Sequence, residues 1–441
     1  HRGPDQAGFL EYENILLSHL RLPVMDPRNL GRQPMSVDNR YAIIFNGEIY
    51  NYKEISKKYL SKIPKSNQSD TKILVDLHEV LNSKKIPKIL NGMFAYAIYD
   101  SLKKRIFIAN DPQGEKNLYI FKSKNEIIIS SNVSSILTYK KNIKIDYKEL
   151  KNYFSTRHLM PFNKTCYKNI KVLDPGTYIN INVKKFIYNQ TNFENPLEWI
   201  DKKKYFLNSK LNEKKLTKKI EKIILKQAKL MIPDKKFGCI FSGGIDSSLQ
   251  TGIINSIKKP NVIGVLHYKD KDKITENIYK FQKFFKTKIN RILISKKKYL
   301  KDLIEVYKTS KLPVYTHSVV GIHEISKFFN KKKCKVYFSA DGCDELFGGY
   351  EAYRKINWNK NNKATSPYSH SKYQLLKDLN IKNSKYKREL DNFRKRVRKK
   401  FSFIGNDEEI NIQTNLFCDY FIQSIKVGNA CNDLVGSDNS V

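Results

Sequence analysis

The sequence predicts two structural classes in one chain, a layered α+β domain over residues 1–185 and an α/β domain with a parallel sheet over residues 211–441. In the first region, short β-rich runs bounded by turn residues outnumber the helical intervals, which is typical of α+β domains. In the second region, short apolar strands alternate with segments of helical spacing, which indicates parallel βαβ units. A glycine pair at residues 243–244 joins a strand to a helix there.

Composition limits the classes of protein to consider. The chain has 441 residues, of which 40% are hydrophobic, enough for two or three domains with buried cores. Its net charge of +39 favours nucleic acid or an acidic membrane as a partner, although Lys-rich and Asn-rich composition alone would also produce it. The six cysteines are too dispersed for a disulfide framework or a zinc site. Because neither a signal-peptide pattern nor an apolar run of membrane-spanning length is present, we expect a cytoplasmic protein.

Turn residues separate the predicted strands of the first domain. The predicted strands are residues 41–45, 94–99, 105–109, 127–129 and the segment that follows the turn at 173–176. The first of them ends at Asn46-Gly47, a strong turn signal, and the next two flank Asp100 as in a β-hairpin. Two helical intervals complete this domain, which gives layers of sheet and helix.

A linker precedes the second domain. Residues 186–210 are polar and rich in Asn and Lys, as linkers often are. From Leu211 apolar residues recur at helical spacing, and the predicted elements that follow are strands at 237–241, 262–266 and 336–338 and a helix at 246–257. Beyond Tyr350 the chain is predicted to be helical and strongly basic.

The strand at 237–241 leads into Ser242-Gly243-Gly244-Ile245-Asp246-Ser247-Ser248, followed by a helix. Glycines allow the backbone to approach a phosphate closely, and the N–H groups of a helix N-terminus favour an anion. The segment lacks the Gly-Lys-Ser/Thr of a Walker loop. Because the carboxylate of Asp246 would repel phosphate, the motif predicts Mg²⁺ between them.

A second cluster follows the strand at 336–338. The segment Ser339-Ala340-Asp341-Gly342-Cys343-Asp344-Glu345 places three carboxylates within five residues. Carboxylates at the carboxyl end of a parallel strand lie where α/β sheets bind ligands, and they repel one another unless a cation offsets them. An acidic turn that only caps a helix remains the structural alternative.

Together, these segments resemble the signature motifs of the asparagine synthetase family within the class II glutamine amidotransferases. The first domain carries further motifs in the expected order, which are Arg2-Gly3-Pro4-Asp5, Arg21-Leu22-Pro23-Val24, Gln33-Pro34-Met35, Phe45-Asn46-Gly47-Glu48-Ile49-Tyr50-Asn51, Ser69-Asp70-Thr71 and Gly92-Met93-Phe94-Ala95. The resemblance implies an N-terminal-nucleophile (Ntn) hydrolase-type glutaminase domain, an αββα sandwich, followed by an ATP-pyrophosphatase (PP-loop) domain.

For the glutaminase domain, the resemblance implies five glutamine-binding residues. Arg21 would pair with the α-carboxylate of glutamine as a charged fork, and Glu48 and Asp70 would hold its α-ammonium. The Asn46 side chain and the Gly47 N–H would form the oxyanion hole. Ammonia released here would pass through a tunnel to the second domain.

For the second domain, the resemblance implies ATP and Mg²⁺ as cofactors and adenylation of a carboxylate, with aspartate the expected acceptor. Pyrophosphate would be held by Ser242, Gly243, Gly244, Asp246 and Ser247, with Asp246 and Asp344 on Mg²⁺. Residues at positions that match the adenosine pocket are Ile240, Ile263, Ser339 and Ala340, the last in place of a usual glycine. Asp341 would lie near the acyl-adenylate and the incoming amine as base or orienting group.

The sequence also departs from the family pattern. The glutaminase nucleophile of the family is an N-terminal cysteine, and none of the six cysteines lies near His1. Residues 432–441 resemble a segment that relatives continue with a catalytic lysine. We therefore expect the sequence to be a fragment clipped at both ends. The segment 312–318 lacks an arginine that asparagine synthetases often carry, so the acceptor carboxylate is open between aspartate and others, such as a uronate or a lactam-forming β-amino acid.

Two further hypotheses stay open. The basic run at residues 386–400 would suit a nucleic-acid binder, although a solvated helix face has the same pattern and RNA-modifying PP-loop enzymes lack the first-domain motifs. The second of these hypotheses is a catalytically inactive relative. Whether the gene encodes the missing cysteine and lysine decides it. The resemblance implies a homodimer and gives no reason to expect a membrane.

Overall fold

The computed structural model describes residues 3, 5–22, 31–61, 69–156, 163–267, 273–313, 318–350 and 385–421. Several sequence predictions lie outside these ranges, among them Arg2, Pro4, Pro23, Val24 and the segment 432–441. Within the described ranges, no helix combines the length and the hydropathy needed to cross a membrane.

Eleven described strands belong to the first half of the chain. They are β1 (Gln6–Tyr12), β2 (Ile15–Arg21), β3 (Met35–Val37), β4 (Tyr41–Ile49), β5 (Gly92–Asp100), β6 (Arg105–Asn110), β7 (Tyr119–Lys122), β8 (Ile127–Ser130), β9 (Ile170–Val172), β10 (Thr177–Asn182) and β11 (Ile187–Asn192). Six form an antiparallel sheet in the order β11-β10-β6-β5-β4-β3, and three form a second sheet in the order β8-β7-β9. The hairpin β1-β2 is separate, and the predicted hairpin around Asp100 is confirmed as β5-β6.

The helices of this half lie outside the two sheets. They are α1 (Tyr52–Tyr59), α2 (Asp70–Val80), α3 (Ile86–Ile89), α4 (Val133–Tyr139) and α5 (Tyr147–Thr156). Ile55 of α1 and Leu74 of α2 pack in one core with Phe45 of the six-stranded sheet. A second core lies between the two sheets, and Ile136 of α4 packs on the outer face of the smaller sheet. The layers therefore run α-β-β-α, as the resemblance implies.

Two secondary-structure predictions for this half are wrong. Asn46-Gly47 is not a turn, because β4 continues through both residues to Ile49, paired with β5. Gly47 has φ +137°, and a Cβ there would lie 2.0 Å from the carbonyl oxygen of Met93. Glycine is thus required at this position by the close approach of β5, a partner 46 residues away in sequence, and not by a local turn.

The predicted linker 186–210 also contains regular structure. Its first residues form β11 at the edge of the six-stranded sheet, where most side chains are exposed and can be polar. A 3-10 helix at Pro196–Trp199 and helix α6 (Lys202–Ser209) follow. Leu197 and Trp199 pack against the C-terminal helices, so this segment joins the two halves.

The second half is built around a parallel four-stranded sheet, as predicted. Its strands are β12 (Phe237–Ile240), β13 (Val262–His267), β14 (Ile289–Leu293) and β15 (Val336–Phe338), in the order β14-β13-β12-β15. Its helices are α7 (Glu213–Met231), α8 (Ile245–Ile257), α9 (Lys273–Phe285), α10 (Lys296–Ser310), α11 (Val319–Lys331), α12 (Cys343–Phe347), α13 (Lys385–Phe401) and α14 (Asp407–Asp419), with a 3-10 helix at Ser402–Ile404. Because β12 and β15 are parallel neighbours, the loops that follow them lie side by side at one sheet edge.

Candidate functional site

The five residues proposed for glutamine binding come from three elements and border one cavity. Arg21 ends β2, Asn46, Gly47 and Glu48 lie in β4, and Asp70 begins α2. All five line the same cavity, whose volume is about 1690 Å³. The fold thus brings together residues that are up to 49 positions apart in the sequence.

Glu48 and Asp70 form a buried carboxyl pair at this cavity. Both side chains are less than 10% exposed, and they are hydrogen-bonded to each other. Burial raises the pKa of Asp70 to about 6, although its carboxylate accepts a 2.8 Å hydrogen bond from the Thr71 N–H. Burial and the Asp70 charge raise the pKa of Glu48 well above its usual range. Glu48 Oε2 has no hydrogen-bond partner within the described part of the chain, so it can accept from a ligand.

This pair predicts how stability varies with pH. Asp70 binds its proton more tightly in the folded chain than in the unfolded chain, where its pKa is near the ordinary value of 3.8. Its contribution to the free energy of unfolding therefore falls as pH rises from about 4 to about 6, and it stays low at higher pH. Urea titrations measure the free energy of unfolding at each pH. Relative to the unaltered chain, the free energy of unfolding of Asp70→Asn should increase by about 1–3 kcal/mol when pH is raised from about 4 to about 7.

The matched control is Glu54→Gln, on the exposed side of α1. It should show no such gain between the two pH values. A difference between Asp70→Asn and the unaltered chain that is equal at both pH values would contradict the raised pKa of Asp70.

Arg21 is held at the cavity wall by contacts on two sides. The side chain is 7% exposed, and its Nη1 donates to Gln6 Oε1 across the hairpin at 3.1 Å. Gly31 packs against the guanidinium, since a Cβ at that position would lie 2.1 Å from Arg21 Nη2. A buried guanidinium with a fixed fork geometry suits a carboxylate ligand.

The phosphate-binding loop predicted from the sequence lies between β12 and α8, where Gly244 is the N-cap residue of the helix. Gly243 adopts φ +82°, a conformation that glycine favours, and Asn277 Nδ2 donates to its carbonyl oxygen at 3.2 Å. Ser247 Oγ accepts a 3.1 Å hydrogen bond from the Ser242 N–H and lies 2.8 Å from Ser242 Oγ. These bonds close the loop at the start of α8, and the N-terminus of a helix is a place that favours an anion.

The acidic loop after β15 faces the same edge. Ser339 Oγ donates to Asp341 Oδ2 at 2.8 Å, and Gln250 of α8 donates to the Ser339 carbonyl oxygen. Burial and the neighbouring charge of Asp246 raise the pKa of Asp344. Two neighbouring carboxylates at this loop are a fitting donor set for Mg²⁺, since Mg²⁺ prefers oxygen ligands and a cation would offset the repulsion that Asp344 meets from Asp246.

The positions proposed for the adenosine pocket differ in what they present. Ile240 is half-buried at the end of β12, and Ser339 and Ala340 lie at the end of β15. The side chain of Ile263 is 1% exposed and packs in the core with Phe281, so only its backbone can face a nucleotide. Ser339 and Asp341 also border the cavity lined by the five proposed glutamine-binding residues, which we call the shared cavity, whereas Ile240 and Ile263 do not line it.

Several residues of the site were not found from the sequence. Gln250 and Asn277 bind the backbone of the two loops, and Glu115 and Tyr420 line the shared cavity. Glu115 follows Gly114 in the turn-rich segment 111–117, and its charge in that segment was the available signal. No sequence pattern marks Tyr420, which reaches the cavity only because α13 and α14 pack together.

Comparison with known families matches both halves of the chain. The family model described as glutamine amidotransferase domain matches residues 1–193, and the family model described as asparagine synthase matches residues 213–416. The two matches cover the two candidate sites separately, one for each half.

Curated relatives are similar over most of this chain. Asparagine synthetase (glutamine-hydrolyzing) 1 of Bacillus subtilis is 29% identical over 360 residues, which cover 80% of this chain and 55% of the relative. Asparagine synthetase (glutamine-hydrolyzing) 3 of the same organism is 26% identical over 378 residues, with 79% and 58% covered. Amidase chry2 of Gibberella zeae is 23% identical over 378 residues, with 80% and 54% covered. The chain thus spans little more than half the length of these relatives.

Proposed function

We propose that this chain amidates a carboxylate through an acyl-adenylate formed from ATP, because its two halves match the family models of glutamine amidotransferases and asparagine synthases. The ammonia would come from glutamine, and aspartate is the acceptor we propose first. One cavity carries the proposal, because it borders both the residues around Arg21 and Asp70 and the residues Ser339 and Asp341. From the resemblance to the family we also propose that the protein is cytoplasmic and that it forms a homodimer. Light scattering of the purified protein tests the homodimer.

In the glutaminase half, the charges of the cavity wall match an amino acid. Arg21 would bind the α-carboxylate of glutamine. The free Oε2 of Glu48 and the carboxylate of Asp70 would bind the α-ammonium, and the pair must release a proton when it does so. The Asn46 side chain and the Gly47 N–H, fixed in β4, would stabilise the oxyanion of the glutamine amide.

In the synthetase half, the loop at 242–247 would hold the β- and γ-phosphates of ATP at the start of α8. Asp246 and Asp344 would hold Mg²⁺, which neutralises charge on the phosphates when bound. Ile240, the backbone of Ile263, Ser339 and Ala340 would flank the adenosine. The extra methyl group of Ala340 narrows this pocket relative to the glycine of the family.

The proposed reaction has two steps. An oxygen of the acceptor carboxylate forms a bond to the α-phosphorus of ATP, and the bond from that phosphorus to pyrophosphate breaks. Ammonia then attacks the acyl carbon, and AMP leaves with the carboxylate oxygen. Asp341, which accepts a hydrogen bond from the hydroxyl of Ser339, would orient the amine or accept its proton.

Pyrophosphate release tests this proposal. The protein is incubated with ATP, Mg²⁺, ammonium chloride and L-aspartate, so that glutamine hydrolysis is not needed. We expect pyrophosphate, AMP and asparagine in equal amounts, and none of them when the acceptor is omitted. Absence of pyrophosphate with aspartate and with every other carboxylate offered would overturn the proposal.

A different acceptor is the second candidate. It is favoured by the segment 312–318, which lacks an arginine, and by similarity to a protein named an amidase, amidase chry2. The same assay separates the candidates when it is run with uronates and β-amino acids. Pyrophosphate release that requires one of these and ignores aspartate would replace the first acceptor.

The nucleic-acid hypothesis receives less support from the structure. Part of the basic run in α13 is engaged within the chain, since Arg398 Nη2 lies 2.8 Å from Asp407 Oδ1 and Arg394 donates to Asn415 of α14. Salt-dependent RNA binding that removes the ATP reaction would favour it again.

A further inference from the structure

Glu115 occupies an unusual place for a carboxylate. It lies in the loop between β6 and β7 and borders the cavity shared by the two candidate sites. The same cavity wall carries Tyr50, which follows β4, and Tyr420, which follows α14. Neither the glutamine-binding set nor the phosphate loop uses Glu115, so its role is unassigned.

The loop that carries Glu115 is rigidly held. The carboxylate of Asp111 accepts hydrogen bonds from the N–H groups of Gln113, Glu115, Lys116 and Phe94, at distances from 2.9 to 3.2 Å. The backbone of Glu115 is therefore fixed by Asp111, while its own side chain does not serve the turn. A rigid loop that presents a carboxyl group to a cavity is suited to bind a ligand.

The surroundings of Glu115 favour exchange of a proton near neutral pH. Burial and the charge of Asp111 raise the pKa of Glu115 to about 7, and Lys116 acts in the opposite direction. Tyr50 and Tyr420 line the same cavity, and the pKa values of their hydroxyl groups are raised, by burial first and then by the charge of Glu115 among other carboxylates. The neighbouring tyrosines stay neutral, so Glu115 is the group among these that gains and loses a proton.

A carboxylate with two tyrosine side chains in a cavity matches a small cation. Carboxylate oxygens accept N–H hydrogen bonds, and tyrosine rings attract cations through their faces. The reaction proposed above consumes ammonia, whereas most ammonia in water near neutral pH carries an extra proton and has no lone pair. A base inside the cavity would convert one form into the other.

We propose that Glu115 binds ammonium in the shared cavity and accepts one of its protons. An N–H bond of ammonium breaks, an O–H bond forms on the Glu115 carboxylate, and ammonia keeps the electron pair. Ammonia moves on towards Ser339 and Asp341, and the proton of Glu115 passes to cavity water. The direction in which ammonia moves rests on the proposed amidation reaction. The binding of ammonium to Glu115 does not rest on it.

The first test varies pH in the ammonia-dependent reaction of the whole chain. The fraction of free ammonia falls about tenfold for each unit that pH is lowered below about 8.5. In Glu115→Gln, the KM for total ammonium should rise about tenfold between about pH 8.5 and about pH 7.5. In the unaltered chain it should rise less than about threefold, because Glu115 deprotonates ammonium in place. The KM for ATP should be the same in both.

The matched control is Glu126→Gln, because Glu126 lines the same cavity but pairs with Lys140 at 2.5 Å. It should keep the shallow pH dependence of the unaltered chain. Equal slopes in Glu115→Gln and the unaltered chain would overturn the inference, while leaving the amidation reaction intact.

A second test needs no activity. Broadening of the NMR signal of ¹⁵N-ammonium chloride reports binding, which we expect for the unaltered chain and Glu126→Gln and not for Glu115→Gln. Equal broadening in all three chains would overturn the ammonium site. If no chain releases pyrophosphate but only Glu115→Gln loses the broadening, the proposed function fails and the ammonium site stands.

Discussion

Replacing Asp246 by Asn is expected to lower pyrophosphate release by about 100- to 1000-fold, because the substitution removes one of the two carboxylates proposed to hold Mg²⁺. Asp246 lies in the first turn of α8, and its charge acts on Asp344 in the first turn of α12. Without the cation, the phosphates would face Asp344 alone and be repelled. Initial rates at saturating ATP and a range of Mg²⁺ concentrations measure the loss, which excess Mg²⁺ should relieve only in part.

The matched control is Asp234→Asn. Asp234 is exposed in the loop before β12, in the same domain and three residues from the strand that leads to the phosphate loop. Its rate should stay within about twofold of the unaltered chain. An Asp246→Asn protein that folds normally and keeps full activity would remove Asp246 from the metal site.

Replacing Gly47 by Ala is expected to lower the free energy of unfolding by about 3–5 kcal/mol. The new Cβ would lie 2.0 Å from the Met93 carbonyl oxygen and 2.8 Å from the Phe94 Cα. Both atoms belong to the backbone of β5, so relief of the overlap requires separation of the β4-β5 pair. Urea denaturation followed by tyrosine fluorescence measures the loss.

Gly405→Ala is the control for backbone strain alone. Gly405 also has a positive φ, +80°, but a Cβ there would meet nothing within 4 Å. We expect a loss of about 1–2 kcal/mol from the left-handed conformation. Equal losses for the two substitutions would mean that strain, and not contact with β5, makes glycine necessary at position 47.

The parallel sheet and its phosphate loop could be predicted because their signals are local. Residues 237–241 are apolar and β-rich, the glycines follow directly, and the next apolar residues recur at helical spacing. The role of Gly47 could not be predicted in this way, because the atom that excludes a side chain belongs to Met93 on another strand. The edge strand β11 was missed for a related reason. Its residues are polar, and its hydrogen bonds come from the neighbouring strand β10, which the local sequence does not show.

For the candidate sites, motifs predicted the residues but not their electrostatic state. Glu48 and Asp70 are both recognisable, yet only the fold shows that they share a hydrogen bond and are buried together. Glu115 and Tyr420 are 305 positions apart, and their common place at the cavity depends on the packing of the C-terminal helices. Contacts of this range leave no pattern in a single sequence.

The fate of the acceptor oxygens tests the adenylation reaction most directly. The protein is supplied with ATP, Mg²⁺, ammonium chloride and aspartate that carries oxygen-18 in its side-chain carboxylate. One labelled oxygen should appear in AMP for each asparagine formed, because AMP leaves with an oxygen of the acceptor. Label in inorganic phosphate together with ADP, or label in neither nucleotide product, would contradict activation through an acyl-adenylate.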